Sequence, residues 1–337
     1  VWTIIGISQM RGQDIANKVL PGLGYAVAFL ISLGGLAFNI GNIGGASMGL
    51  NIVFGIDTTM AAAISGILGI LLFVSPKMGG VLDNTAKVLG TVMLVLIGYV
   101  AFSTNPPVAE AATHALVPTN YPWLATITLI GGTVGGYITF SGGHRLIDAG
   151  ITGREHLKDV RRAAFMGMSV DAIVRILLFL AVLGVVSMGF VLDPKDPAGS
   201  AFLLGAGEIG HKLFGIVFFC AALTSVVGAA YTSVSFLKTL FKVVERYEKL
   251  TIMAFIFVST CILIFIGKPA TLLIVAGSVN GLILPVTLAV MLLATRKTNI
   301  VGDYKHNPVL FYTGWIVVLV TAYIGVTSLQ GIVKLLG

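Results

Sequence analysis

The sequence predicts an all-α, polytopic membrane protein, and three observations carry that prediction. Charged residues are 10% and hydrophobic residues 56% of the 337-residue chain, with a mean hydropathy of +0.98, whereas soluble domains carry about 25% charged residues. Several apolar runs, among them 25–54, 171–190 and 212–236, approach or exceed the ~20 residues that cross a ~30 Å hydrocarbon core. The Lys and Arg residues fall in short segments between these runs, so the net charge of +7 reports topology rather than a nucleic-acid surface.

Apolar length and Gly, Pro and charged interruptions place the elements in order. Residues 1–10 read as the tail of a helix whose start lies upstream, since the chain opens on Val1-Trp2-Thr3-Ile4 without an initiator Met and is expected to be truncated. Nine whole spans follow at about 24–54, 58–74, 86–102, 123–142, 164–190, 213–237, 250–266, 271–293 and 309–332. Sixteen of the 21 Lys and Arg, from Arg11 and Lys18 through Lys77 to Lys297 and Lys305, lie in one set of alternate connections. The other set holds only Lys195, Lys212, Lys268 and Lys334, while Arg175 lies inside a span. Basic residues accumulate on the cytoplasmic side, so the chain is expected to be a multi-pass plasma-membrane protein with its C-terminus extracellular.

Polar interruptions of the apolar spans are the candidate functional residues. The span from Trp123 is broken by Gly131-Gly132-Thr133-Val134-Gly135-Gly136-Tyr137, and paired glycines are poor helix formers. This is the predicted unwinding point. Unwound carbonyls near the bilayer midplane are free to coordinate a cation, and oxygen ligands suit hard ions such as Mg²⁺ and Mn²⁺. The same glycines could instead let a neighbouring helix approach. Asn39 and Asn42 share one helix face and either line a cavity or bond another helix, at about 0.6 kcal/mol per bond. Asp171 and Arg175, at the start of their span, are expected to form a structural ion pair. Thr224, Ser225, Gly277, Ser278 and Asn280 in later spans face either a pathway or a neighbour.

Several chemistries lack their residues. Cys220 and Cys261 both sit in apolar spans, leaving no disulfide framework or CxxC site. His144 and His156 have no Cys or His at zinc spacing. No Walker loop, HExxH helix or GxSxG elbow is present, so enzymatic activity and resident cofactors find no support.

The order of motifs resembles the Nramp family of divalent-metal transporters. Gly12-Gln13-Asp14-Ile15-Ala16 is similar to the segment after the family's second span, and 38–51, with Asn39 and Asn42, to its third. Ala270-Thr271-Leu272-Leu273-Ile274 with Leu284-Pro285 and Thr295 is similar to the tenth. The resemblance implies a LeuT-like fold of two inverted repeats, with about ten of eleven spans present and the first, which would carry the main acidic ligand, expected upstream. It divides the chain into the remainder of the first repeat (1–102), an extracellular loop (103–122), the second repeat (123–294) and a last span (295–337).

The departures imply the substrate. Where the family carries Ala-x-x-Met-Pro-His, this chain has Gly132, Thr133, Val134, Gly135, Gly136 and Tyr137. Loss of the thioether and imidazole removes a preference for soft transition metals. A larger all-oxygen site implies Mg²⁺ or Mn²⁺ that keeps some of its waters. Asn39 and Asn42 stand where the family has carboxylates, which argues against proton coupling and points to the family's magnesium-transporting branch. The implied metal residues are Gly132, Thr133, Gly135, Gly136 and Tyr137, with Asn39, Asn42, Ser225, Gly277 and Asn280 along the pathway. A methionine at Gly135 is expected to restore discrimination against Mg²⁺. The implied partners are the cation and the lipid bilayer, with no obligate protein partner. A proton-coupled Mn²⁺/Fe²⁺ carrier and an amino-acid carrier of the same architecture remain the alternatives.

Overall fold

A computed structural model describes residues 1–238 and 241–336 of the chain. Fifteen helices follow one another: α1 (Trp2–Ser8), α2 (Gly12–Val19), α3 (Leu23–Phe54), α4 (Thr58–Val74), α5 (Pro76–Ser103), α6 (Val108–Leu116), α7 (Trp123–Val134), α8 (Gly136–Asp148), α9 (Leu157–Ser187), α10 (Pro197–Lys238), α11 (Lys242–Arg246), α12 (Glu248–Ile266), α13 (Pro269–Ala294), α14 (Thr298–Val301) and α15 (Pro308–Leu336). No strand occurs among the described residues. Each of the nine expected spans is helical. Seven of the described helical segments are long and apolar enough to cross a bilayer, counting α7 and α8 as one, and α4 is a shorter apolar helix of 17 residues.

Local signals set the ends. The Asp57 carboxylate caps α4, accepting from the N–H groups of Thr59 at 2.9 Å and Met60 at 3.3 Å. Gly55 and Gly267 stop α3 and α12 in the left-handed conformation, with φ 69° and 66°. Pro269 opens α13, where its missing N–H leaves no bond unmade.

Two features differ from the expectation. The 103–122 connection contains α6, which leaves α5 at an angle of 102° after Pro106 and Pro107. The Pro pair breaks the helix, and the Ala-rich stretch after it restarts one. The span expected at 213–237 extends back to Pro197, with a kink at Gly207, whose φ of 66° only glycine adopts readily. The Lys77 side chain and Gly337, used in the orientation and in the last segment, lie outside the described residues.

Helix α3 is the hub, and glycines let its neighbours approach. A side-chain carbon at Gly49 would stand 2.7 Å from the Gly215 carbonyl of α10, and one at Gly34 2.7 Å from the Asn280 amide oxygen of α13. Apolar clusters fill the remaining interior: Ile15, Ile31, Phe140, Phe236 and Met291 at one end, Ile43, Val226, Val234 and Ile256 centrally, and Ile97, Val185, Phe202 and Phe214 beside α5 and α9. The outside is as apolar as the inside. Helix α9 exposes Phe165, Ile173, Ile176 and Phe179, the pattern of a helix whose solvent is lipid rather than water.

Basic residues of the richer set are tied to carboxylates and a main-chain carbonyl. Arg11 pairs with Asp148 at 3.1 Å, Arg154 with Asp303 at 4.0 Å, and the Lys297 ammonium donates to the Val19 carbonyl at 2.6 Å. Lys195 and Lys268 of the sparser set instead line one cavity together with Asp57.

The glycine packing gives the first prediction. A Cβ at Gly131 would run into the Gly277 carbonyl, whereas one at Gly132 meets nothing within 4 Å. Gly131→Val should therefore lower the melting temperature of the detergent-solubilised protein steeply or prevent its recovery. Gly132→Ala should leave it unchanged or raise it, since Ala in a helix gains roughly 0.5–1 kcal/mol over Gly. Thermal-shift measurements on both variants check this; equal effects would contradict the packing described.

Candidate site at the broken helix

The helix beginning at Trp123 is interrupted at one residue. Gly135 has φ −53° and ψ 160°, an extended conformation, and α8 restarts at Gly136. The predicted unwinding point is where the chain breaks, and its two glycine pairs divide the work. Gly131 lies against the backbone of Gly277 and Gly281, so its role is close packing on α13. Gly135 and Gly136 also face α13: a Cβ on Gly135 would strike the Gly131 carbonyl and stand 2.8 Å from the Asn280 Cβ, and one on Gly136 would stand 3.0 Å from the Thr287 hydroxyl. Gly132 alone of these glycines faces open space.

This placement revises the expectation for Gly135. The position has no room for a methionine side chain in this conformation, because α13 occupies the direction its Cβ would take. The open position for such a test is Gly132.

The oxygens at the break are engaged rather than bare. The Thr139 hydroxyl lies 2.7 Å from the Val134 carbonyl and 3.0 Å from that of Gly135, which also accepts the Thr139 N–H at 3.0 Å. Arg175 Nη2 donates to the Gly132 carbonyl at 2.8 Å, while its Nε donates to Asp171 Oδ2 at 2.9 Å. Asp171 and Arg175 are thus the expected ion pair, but they sit near the middle of the 31-residue α9 rather than at its start. The pair belongs to the broken helix. A charge at that depth costs several kcal/mol unless it is partnered, and here the partners are a carboxylate and a main-chain oxygen freed by the break.

A half-open cavity of about 210 Å³ lies beside this cluster, lined by Phe38, Gly41, Thr128, Leu129, Gly132, Arg175, Leu273, Ala276 and Gly277. The Thr128 hydroxyl shares a 2.8 Å hydrogen bond with Ser278. Arg175 is the one charged side chain in the lining. No group of three His, Cys, Asp or Glu side chains among the described residues is placed to hold a metal ion.

The other candidates scatter. Tyr137 is buried, its hydroxyl donating to the Ala229 carbonyl at 3.1 Å and its ring 5.8 Å from Phe38. The Thr133 hydroxyl turns back onto its own helix at Leu129. Asn39 is fully buried and its amide donates to the Ser259 hydroxyl of α12 at 3.1 Å, the interhelical role among its two alternatives. Asn42 is half-buried on the same helix. Asn280 ties α13 to α3 through the Gly34 carbonyl at 3.0 Å, and its buried amide oxygen has no partner. Gly277 both packs on Thr128 and lines the cavity. Ser225 is exposed and bonded to its own turn at Ala221, away from the cavity lining.

Two further arrangements lie toward the ends. His144 is buried, accepts the Gly12 N–H at 3.0 Å through Nε2 and stacks 4.0 Å from Phe236, which fastens α2 to α8 and α10. A wider cavity of about 500 Å³ is lined by Met48, Asn51, Asp57, Asp193, Lys195, Asp196 and Lys268 among others. The Thr59 and Met60 N–H groups hold the Asp57 carboxyl below its ordinary range, while burial pushes that of Asp196 up.

Sequence reading missed the reach of Arg175 to Gly132 and the covering of the break by Thr139. The second had a signal: a Thr four residues after Gly135 can return its hydroxyl to that carbonyl. The first had none, because 43 residues separate the partners.

Known proteins share this architecture. Residues 12–330 match the model of the Nramp family, described as natural resistance-associated macrophage protein-like. The chain is 52% identical over 329 residues to the uncharacterised membrane protein YcsG of Bacillus subtilis, covering 98% of this chain and 81% of that one. It is 51% identical over 322 residues to an uncharacterised membrane protein of Haemophilus influenzae, covering 96% and 81%. Crystal structures of two variants of the Eremococcus coleocola manganese transporter share its fold, one at TM-score 0.71 and 15% identity, the other at 0.69 and 16%, each over 99% of this chain and 78% of that one. The match across nearly the whole chain, with the glycine-broken helix inside it, shows that this protein belongs to the Nramp family, whose members are membrane transporters and not enzymes.

Proposed function

We propose that the protein carries divalent metal cations, Mg²⁺ and Mn²⁺ in partly hydrated form, across the plasma membrane by alternating access and without proton coupling. The observation that carries this reading is the break at Gly135 in a chain of this family, with an aqueous-sized cavity beside Gly132. Membership of the family and a fold like that of a manganese transporter support the substrate class.

The chemistry of the lining supports the finer claim. It offers hydroxyl and carbonyl oxygens and no sulfur or imidazole, which suits hard cations over soft ones. An ion that keeps several waters, as Mg²⁺ does, needs fewer protein ligands than the described residues would otherwise have to supply. A dication arriving here competes with the Arg175 guanidinium for the Gly132 carbonyl. Among the described residues the lining holds no Asp, Glu or His to take up a proton, and the nearby Asp171 is committed to Arg175. Release requires the two faces to open in turn. On this reading 1–102, the remainder of the first repeat, and 123–294, the second, rock against each other, with the 103–122 loop and the last span, 295–337, outside them. The end carrying Arg11, Arg154 and Lys297 faces the cytoplasm, and the C-terminus lies outside.

Uptake into liposomes tests both halves of this. The complete protein, reconstituted with an internal Mg²⁺ indicator and a pH dye, should show saturable Mg²⁺ uptake that Mn²⁺ competes for, at steady internal pH. Absence of saturable uptake would remove the substrate; acidification in step with uptake would show proton coupling. A second measurement addresses the position of the ion. Gly132→Met places a thioether in the open direction and should shift the Mn²⁺/Mg²⁺ selectivity toward Mn²⁺ by about tenfold, roughly 1.4 kcal/mol. Unchanged selectivity in a folded, active variant would place the ion elsewhere.

A further inference from the structure

We propose that the cavity beside the broken helix also binds a small organic carboxylate, anchored on Arg175. This goes beyond the metal reading and does not depend on it. Three observations converge. Arg175 is the only charged side chain lining the cavity among the described residues, and its positive charge attracts an anion. Its Nε is bound to Asp171 and its Nη2 to the Gly132 carbonyl, while Nη1 makes no protein hydrogen bond among the described residues. The guanidinium is therefore fixed in orientation at two points and keeps donor capacity for a third partner, the geometry in which a planar fork recognises a carboxylate.

The rest of the lining selects an organic ligand over an inorganic anion. Phe38, Leu129, Leu273 and Ala276 offer apolar surface for a carbon body, while the Thr128 hydroxyl is already bonded to the Leu124 carbonyl and to Ser278. A sulfate or phosphate would meet the same free guanidinium edge and otherwise mostly carbon, leaving two or more of its oxygens without partners at a cost of several kcal/mol. The cavity volume of about 210 Å³ lies below the ~300–1,000 Å³ typical of drug-sized ligands. A carboxylate of a few heavy atoms fits. Asp171 stays on Nε and competes with the ligand through its charge, partly neutralising the guanidinium.

That competition fixes the sign of the test. Isothermal titration of the complete purified protein with L-alanine and with lactate, and with sulfate as the inorganic control, should show saturable heat for at least one carboxylate and none for sulfate. Arg175→Gln should weaken binding at least tenfold, Arg175→Lys should restore part of it, and Asp171→Asn should tighten it by removing the competing carboxylate charge. A purely structural ion pair predicts no ligand-dependent change in any of the three. The proposal is overturned if neither carboxylate binds the wild type, if sulfate binds as well as they do, or if folded Arg175→Gln, checked by melting temperature, binds like the wild type. Metal uptake measured in parallel separates the two readings, since Mg²⁺ transport with no carboxylate binding overturns this one alone. Carboxylate binding without metal uptake overturns only the other.

Discussion

The backbone approach of α7 to α13 at Gly131 and Gly277 is the constraint from which the site follows. With no side chain on either glycine, the two helices meet main chain to main chain, and Asn280 is brought against Gly135. In lipid there is no hydrophobic drive between helices, so such close van der Waals packing holds them together. The approach fixes where α7 must stop. Helix α8 then restarts on α13 through Gly136; the Gly135 carbonyl stays with the Thr139 N–H of α8, while those of Val134 and Gly132 take a hydroxyl and a guanidinium. In the bilayer core those partners must be protein groups or water in a cavity, since an unsatisfied carbonyl facing lipid costs several kcal/mol. Thr139 and Arg175 fill that need.

Electrostatics then sets how the site behaves. The Asp171–Arg175 pair lies near the middle of α9, and is half-buried. Pairing makes the charges tolerable, and the link to Gly132 makes them informative, because any movement of the half-helices changes what Arg175 can reach. The break is held by the Thr139 and Arg175 bonds, and on the proposed reading a ligand at this place would act on it through Arg175.

Much of the fold was legible because lipid imposes simple rules on sequence. The apolar runs at 24–54, 58–74 and 271–293 became α3, α4 and α13 with ends within about two residues, since Gly55, Asp57, Gly267 and Pro269 punctuate them. The break was legible in Gly131 to Gly136, where helix propensity fails locally. The helix at Val108–Leu116 and the kink at Gly207 were not, because the first is too short for a hydropathy signal and the second hides inside an apolar run. Sequence named the segment of the break but could not say which way each glycine faces. Gly132 opens to the cavity and Gly135 closes on α13 because of helix phase relative to Asn280, 145 residues away. The reach of Arg175 and the turning inward of Asn39 to Ser259 are likewise tertiary facts.

The most direct test of the central claim is to locate the ion. Crystals of the complete protein grown with Mn²⁺ and measured at its absorption edge should give an anomalous peak in the cavity beside Gly132, at the junction of α7 and α8. A peak confined to the wide cavity at Asp57, Asp193 and Asp196, or no peak at saturating Mn²⁺, would contradict the account.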